Sequence, residues 1–128
     1  MAYHFSKRLE TSFDDAVART KAALAERGFG VLSEIDVAAT LKAKLNVDMP
    51  AYRILGACNP GFAHRALQAE PLIGTMLPCN VIVRSVGDNA VEVSAVDPVA
   101  SMKAIENESL QATASEVQAL LRDAVQSL

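Results

Sequence analysis

The chain has no tryptophan, only two cysteines and no long apolar run. Aromatic residues make up 5% of its 128 residues, so aliphatic side chains and alanine must fill the core. No segment approaches the roughly 20 consecutive apolar residues of a membrane-spanning helix. The opening sequence MAYHFSKR contains no apolar stretch of the signal-peptide kind. We therefore expect a cytoplasmic protein without a membrane partner, in which both thiols are reduced.

Dense basic clusters and familiar catalytic motifs are also missing. The net charge is −3; residues 1–65 carry nine Lys and Arg against seven Asp and Glu, and residues 66–128 carry three against eight. Neither half can line up many phosphate contacts, so we expect no nucleic-acid partner. Gly28-Phe29-Gly30 is predicted to follow a helix and precede a strand, the reverse of a dinucleotide-binding loop. We expect no cofactor, and a binding protein more than an enzyme.

The length indicates a single domain over residues 1–128. Strands are predicted at residues 3–9, 29–35, 51–58, 79–86 and 90–96. Helices are predicted after Ser12, after Asp36, after Asn59 and from about Ile105, with a loop over residues 71–78. The order β-α-β-(α)-β-(α)-β-β-α lacks long βα alternation, which disfavours a parallel sheet. It favours an α+β fold with a mainly antiparallel five-stranded sheet and helices packed on one face.

One helix start has a strong local signature. Asn59 is a good N-cap residue, and Pro60 suits the first helical position because its missing N–H would have no partner there. Both residues are therefore interpreted as structural. The final helix is predicted from apolar residues at three- and four-residue steps between Leu110 and Leu128, and we expect it to pack on the sheet.

Several segments together resemble one known family. They are residues 52–60 (YRILGACNP), 66–67 (AL), 77–83 (LPCNVIV) and 97–98 (DP), with 39–42 (ATLK) upstream. They are similar to the signature of the family called domain of unknown function 302, over nearly the whole chain. The resemblance implies a curved antiparallel sheet in an arrangement like that of the TATA-box-binding protein, and it implies homodimers. It implies no reaction, and a fold of this kind does not by itself imply DNA binding.

The two cysteines are the most reactive groups in the chain. Cys58 and Cys79 each stand at the boundary of a strand-like run and are each followed by asparagine. Cys58 immediately precedes a predicted helix start, where the helix dipole stabilises a thiolate while burial opposes it. If the two strands are antiparallel neighbours, the cysteines lie close together; if parallel, they lie on the order of 20 Å apart. The predicted fold favours the antiparallel arrangement.

Three interpretations of the cysteines stay open. Both can be small buried hydrophobic residues, as free cysteines often are. They can instead be the catalytic pair of a redox or sulfur-handling protein. A metal site made of Cys58, Cys79 and His64 is the weakest of the three, because the spacing is not CxxC and only three ligands are available. We therefore predict no metal site.

The sheet face turned away from the helices is the other candidate site. Alternation places Tyr52, Ile54, Gly56 and Cys58 on one face of their strand, and this more apolar set is expected to meet the helices. The outer face is then predicted to carry a mixed set of residues: Arg53, Leu55, Asn80, Ile82 and Arg84.

Such a mixed face suits a dimer interface or a shallow ligand site in which Arg53, Asn80 and Arg84 bind the ligand. It is equally typical of a half-exposed sheet whose arginines lie over aliphatic neighbours. The leading hypothesis is a homodimeric α+β module of the small bacterial type that binds a ligand or partner on this face. The alternative is a thiol-based protein using Cys58 and Cys79.

Overall fold

A computed structural model describes residues 2–128. The described chain forms five strands, five α-helices and one 3-10 helix. In chain order these are β1 (His4–Leu9), α1 (Phe13–Ala25), β2 (Gly30–Asp36), α2 (Val37–Leu45), β3 (Tyr52–Cys58), α3 (Pro60–Ala69), the 3-10 helix (Pro71–Met76), β4 (Cys79–Gly87), β5 (Ala90–Val96), α4 (Pro98–Ser101) and α5 (Glu108–Gln126).

All five strands form one open antiparallel sheet in the order β1-β5-β4-β3-β2. Helices α1 and α5 pack against the sheet, and α3 packs on α5. The predicted α+β class, with helices on one face of an antiparallel sheet, is confirmed. The edges of the sheet are β1 and β2, so the β3–β4 pair with its cysteines lies in the interior of the sheet.

Side-chain caps start the helices where the sequence predicts them. Ser12 accepts a hydrogen bond from the N–H of Asp15, and Asp36 accepts one from the N–H of Ala39. The last helix begins at Glu108, later than Ile105, because Asn107 is its N-cap and accepts from the N–H of Leu110 at 3.1 Å. Each such cap stabilises a helix by about 1 kcal/mol.

Two short helices were not predicted as such. Residues 71–76 form a 3-10 helix where the sequence predicts a loop, and residues 98–101 form a single α-helical turn. The Asp97 carboxylate caps that turn, accepting from the N–H of Val99 at 2.9 Å, and also accepts from the Gln118 side chain of α5. These contacts fix the chain between β5 and α5.

The main core lies between the sheet and helices α1 and α5. Alternate residues of the central strands supply it, and burying each large aliphatic side chain stabilises the fold by about 1.5–3 kcal/mol. The largest fully buried side chains of this layer are Leu24, Leu55, Val81, Val83, Val91, Val93 and Leu121. The helix-facing assignment of Cys79, Val81 and Val83 is confirmed by this burial.

The predicted faces of β3 were wrong. Leu55 is 0% exposed and pairs with Val81, and Ala57 pairs with Cys79, so the odd-numbered residues of β3 face the helices. Tyr52, Ile54 and Gly56 therefore lie on the outer face. Both alternating sets of this strand contain apolar residues, and the register with β4, which no local pattern encodes, decides between them.

No helix within residues 2–128 is both long enough and apolar enough to cross a membrane.

Candidate functional site

The two cysteines lie at the same end of neighbouring strands. Strands β3 and β4 are antiparallel, and Cys79 pairs with Ala57, so Cys58 is one residue beyond that pair. The expectation that antiparallel pairing brings the cysteines close together is confirmed. Both are free thiols; Cys58 is half-buried and Cys79 is buried. The arrangement puts two thiols at one end of the sheet with unequal access to solvent.

Burial makes Cys79 a poor nucleophile at neutral pH. Its residual exposure is 9%, and this burial, together with a smaller electrostatic effect of Cys58, raises the pKa of Cys79 from 9.0 to about 11. A thiolate here would lose most of its hydration without gaining a cationic partner. Of the two thiols, only Cys58 has the access that a reactive cysteine needs.

Asn59 and Pro60 form the predicted helix start. The Asn59 Oδ1 accepts from the N–H of Phe62 at 3.5 Å, and Pro60 occupies the first helical turn. The same asparagine also donates from Nδ2 to the carbonyl of Arg27 at 3.4 Å, which ties α3 to the chain between α1 and β2. Asn59 therefore has a structural role beyond the cap.

His64 is exposed on α3. Across residues 2–128, no three His, Cys, Asp or Glu side chains come together as a group that could hold a metal ion. His64 thus does not join Cys58 and Cys79 in such a group.

Arg53 does not lie on the outer face where it was predicted, because β3 presents its odd-numbered residues to the helices. Its guanidinium carbon lies 5.3 Å from the centre of the Phe13 ring of α1. It also forms ion pairs with Glu34 at 3.1 Å and with Asp36 at 3.5 Å, both on the neighbouring strand β2. These contacts hold the guanidinium on the helix-facing side of the sheet, apart from Asn80 and Arg84 on the outer face.

Glu34 links this cluster to α1. Its carboxylate accepts a hydrogen bond from Lys21 at 2.7 Å. That hydrogen bond, with Arg53 as a further positive charge, holds the pKa of Glu34 below its usual value although burial acts in the opposite direction. The cluster is an ion-pair network along the sheet edge, typical of fold stabilisation.

Asn80 and Arg84 do lie on the outer face. They line a shallow concavity of about 420 Å³ together with Ile82 and Tyr52. Within it, Arg84 donates two hydrogen bonds to Glu92 of β5, at 2.8 and 3.0 Å. The Arg84 charge is thus largely compensated, and the concavity is a mixed surface with no strong bias toward anions.

A second, more enclosed cavity lies on the helix side and was not predicted. It is bounded by the cysteine end of β3 and β4, by α3, by the 3-10 helix and by α5, and its volume is about 360 Å³. The sequence signal that could have found it is a set of alanines where larger residues would fill the space: Ala57, Ala63, Ala66 and Ala114. Small residues on an apolar helix face mean either close packing or space, and sequence alone does not distinguish the two.

Comparison with known proteins gives a family and a fold. The family model described as "Domain of unknown function DUF302" matches residues 5–128. The chain belongs to the DUF302 family. The resemblance carried by the two cysteine-containing segments is thereby confirmed.

A crystal structure of an uncharacterized conserved DUF302 protein from Bacillus stearothermophilus has the same architecture as this DUF302 chain. The TM-score is 0.90 with 24% sequence identity, over 98% of each chain. At this identity the likeness speaks to the fold alone. No curated protein matches the chain.

Proposed function

We propose that this DUF302 protein is a binding module whose interaction surface is the outer face of its sheet, and that a second copy of the chain occupies that face. The observation that carries the proposal is a patch of half-buried apolar side chains on the central strand β4 and its neighbour β3. They are Tyr52, Ile54 and Ile82, and Ile35 on the neighbouring edge strand is 47% exposed.

The size of the face is adequate for a dimer. Five strands about 4.8 Å apart and about seven residues long, at about 3.3 Å per residue, give a flat footprint of roughly 550 Å². Side chains make the accessible area larger than the footprint, which brings it near the roughly 800 Å² that each partner buries in a standard interface. The outer face alone could therefore supply most of a stable contact.

The charges of the face are compatible with self-association. Arg84 and Glu92 pair with each other near its centre, and Ser6 and Ser94 share a hydrogen bond at 2.7 Å beside them. A surface that carries both signs can meet its own copy about a two-fold axis without placing like charges opposite each other. The same groups leave room for a small ligand in the concavity between two copies.

Ile82→Glu is expected to convert a dimer into a monomer. The substitution places a carboxylate in the apolar patch on the central strand, where dimerisation would bury it without a partner. Molar mass from size-exclusion chromatography with light scattering should fall from two chains to one. Circular dichroism should stay unchanged, since residue 82 points away from the core.

Leu72→Glu provides the matched control. Leu72 is a large exposed hydrophobic residue on the 3-10 helix, remote from the outer face. Its substitution should leave the dimer intact. If Leu72→Glu dissociates the dimer and Ile82→Glu does not, the dimer interface is not the outer face of the sheet. A wild-type protein that is a monomer would also refute the proposal.

The alternative proposal is a thiol-based redox or sulfur-handling role. It is supported by the meeting of Cys58 and Cys79 at one end of the β3–β4 pair. The buried position and raised pKa of Cys79 restrict the role to Cys58 as the attacking thiol. At pH 7, Cys79 should hold about a hundredfold less thiolate than a cysteine with a pKa of 9.0.

Titration of the native protein with a thiol reagent at neutral pH tests this alternative. We expect one thiol to react readily, and Cys58→Ser to abolish that reaction, while Cys79 reacts only on unfolding. Intact-mass measurement counts the modified thiols. If neither cysteine reacts before unfolding, the thiol-based role is excluded. Fast reaction of Cys79 in the native protein would contradict its burial.

A further inference from the structure

The cavity beside the cysteines is lined almost wholly by carbon. Among the residues that line it there is no Asp, Glu, Lys, Arg or His. Its two conventional polar side chains are already engaged: Asn59 caps α3 and bonds the Arg27 carbonyl, and Thr113 donates to the carbonyl of Ser109 at 3.1 Å. A polar ligand would lose its hydrogen bonds to water here and gain few in return.

The size of the cavity fits a small organic molecule. Its volume of about 360 Å³ falls within the range of roughly 300–1,000 Å³ that is usual for small-molecule sites. At about 30 Å³ per water-sized unit, it has room for on the order of a dozen non-hydrogen atoms. Alanines at positions 63, 66 and 114 maintain this space, since a leucine at any of them would occupy part of it.

The mouth of the cavity carries exposed apolar side chains. Leu32 is 73% exposed and Leu67 is 42% exposed, and both line the cavity. Leu72 at 75% and Met76 at 42% belong to the 3-10 helix whose Gly74 also lines it. A group of exposed apolar side chains around an opening is typical of a binding site and not of an ordinary solvated surface. We interpret it as the entry for an apolar molecule.

The local backbone explains why Leu32 is at the mouth. The register between β2 and β3 shifts between Val31 and Ser33, which makes Leu32 the extra residue of a bulge. Bulges redirect one side chain out of the regular alternation. Here the redirected residue is a leucine at the cavity edge, where a polar residue would be the ordinary choice for so exposed a position.

We propose that this cavity is a binding site for a small, uncharged, hydrocarbon-rich molecule that enters past Leu32 and Leu67. The site is separate from the outer face of the sheet, so it does not depend on dimerisation there. Recognition rests on shape and on removal of apolar surface from water, and a charged group on the ligand opposes binding.

Toluene and benzoate form a matched pair of probes, since they differ chiefly in charge. The wild-type protein with ¹³C-labelled methyl groups is titrated with each and followed by NMR. Toluene should shift the methyl signals of Ala63, Ala66 and Leu67 in a saturable manner and leave those of Ile54 and Ile82 unmoved. Benzoate should bind at least about tenfold more weakly, because the cavity offers its carboxylate no partner.

Filling the cavity supplies a second test. Ala63→Leu adds volume at a half-exposed lining position of α3 and should weaken toluene binding about tenfold or more. Ala119→Leu, at an exposed position of α5 outside the cavity, is the control and should leave the affinity within about twofold. The comparison of toluene with benzoate in the wild type stands even if Ala63→Leu does not fold.

Several results would overturn the proposal. They are an absence of saturable toluene shifts, equal binding of benzoate, and shifts confined to outer-face methyl groups. If the signals of Leu32 and Leu67 shift with protein concentration and toluene binding is lost as they shift, a second copy of the chain covers the mouth. That result also contradicts a small-molecule site. None of these results depends on the outcome of Ile82→Glu.

Discussion

Gly56→Ala is expected to lower the free energy of unfolding by about 2–3 kcal/mol. A methyl group at this position would lie 2.2 Å from the Ser33 hydroxyl oxygen and 2.8 Å from Cγ of Pro78. The serine can rotate away, but the proline ring is rigid and the strand is buried between two neighbours. Relief therefore requires a shift of backbone in the β3–β4 pair, next to the cysteines. Urea unfolding followed by circular dichroism measures the change.

Gly30→Ala is the control for this substitution. Gly30 is also a strand glycine and pairs with Cys58, but a methyl group there meets nothing within 4 Å. Alanine restricts the unfolded chain more than glycine does, so this variant should be neutral or stabilised by about 0.4–1 kcal/mol. Gly56→Ala is thus expected to destabilise the fold, and Gly30→Ala is not. Equal effects at both positions would show that close packing at Gly56 is not what requires glycine there.

Local signals in the sequence predicted most of the fold. The capping residues Ser12, Asp36 and Asn59 each start a helix as expected, since a cap depends only on residues within one turn. The spacing of apolar residues likewise predicts the alternating burial of β4 and the amphipathic pattern of α5. These features depend on short stretches of chain whose residue types have strong local preferences.

Long-range packing decided what the sequence could not. Strand β3 has apolar residues on both faces, so its orientation depends on which residues of β4 it pairs with, and Arg53 was misplaced for that reason. The cavity was missed because its volume depends on how α5 packs over the consecutive elements β3, α3, the 3-10 helix and β4, which no local pattern encodes. The only local sign of the cavity is a set of alanines, and alanines are also common where helices pack tightly. Asn80 and Arg84 were placed correctly because β4 has a single strongly apolar set.

The buried Cys79 should make the fold less stable at alkaline pH. Its pKa is about 11 in the folded protein, against 9.0 for an ordinary thiol. Below pH 9 both the folded and the unfolded states hold the proton, and the contribution to stability is fully present. Between pH 9 and pH 11 the unfolded chain loses the proton while the folded chain keeps it, so the free energy of unfolding falls as pH rises. The full loss is about 3 kcal/mol.

Comparison of variants isolates this effect from every other change between the two pH values. Urea unfolding is measured with a reducing agent at about pH 8 and about pH 10.5 for the wild type, Cys79→Ala and Cys58→Ala. Between these two pH values the wild type should lose about 2 kcal/mol more than Cys79→Ala does. Cys58→Ala should behave like the wild type, because burial is the main cause of the raised pKa and Cys58 the lesser one.

The result also bears on what the thiols can do. If Cys79→Ala keeps the full alkaline loss, Cys79 is ionisable in the fold, and a reactive pair at this end of the sheet regains support. If Cys79→Ala lacks the alkaline loss of stability, the Cys79 thiol stays protonated at neutral pH and acts as a small apolar residue lining the cavity. Cys58 alone is then left as a candidate nucleophile, at the half-buried position between that cavity and the first turn of α3.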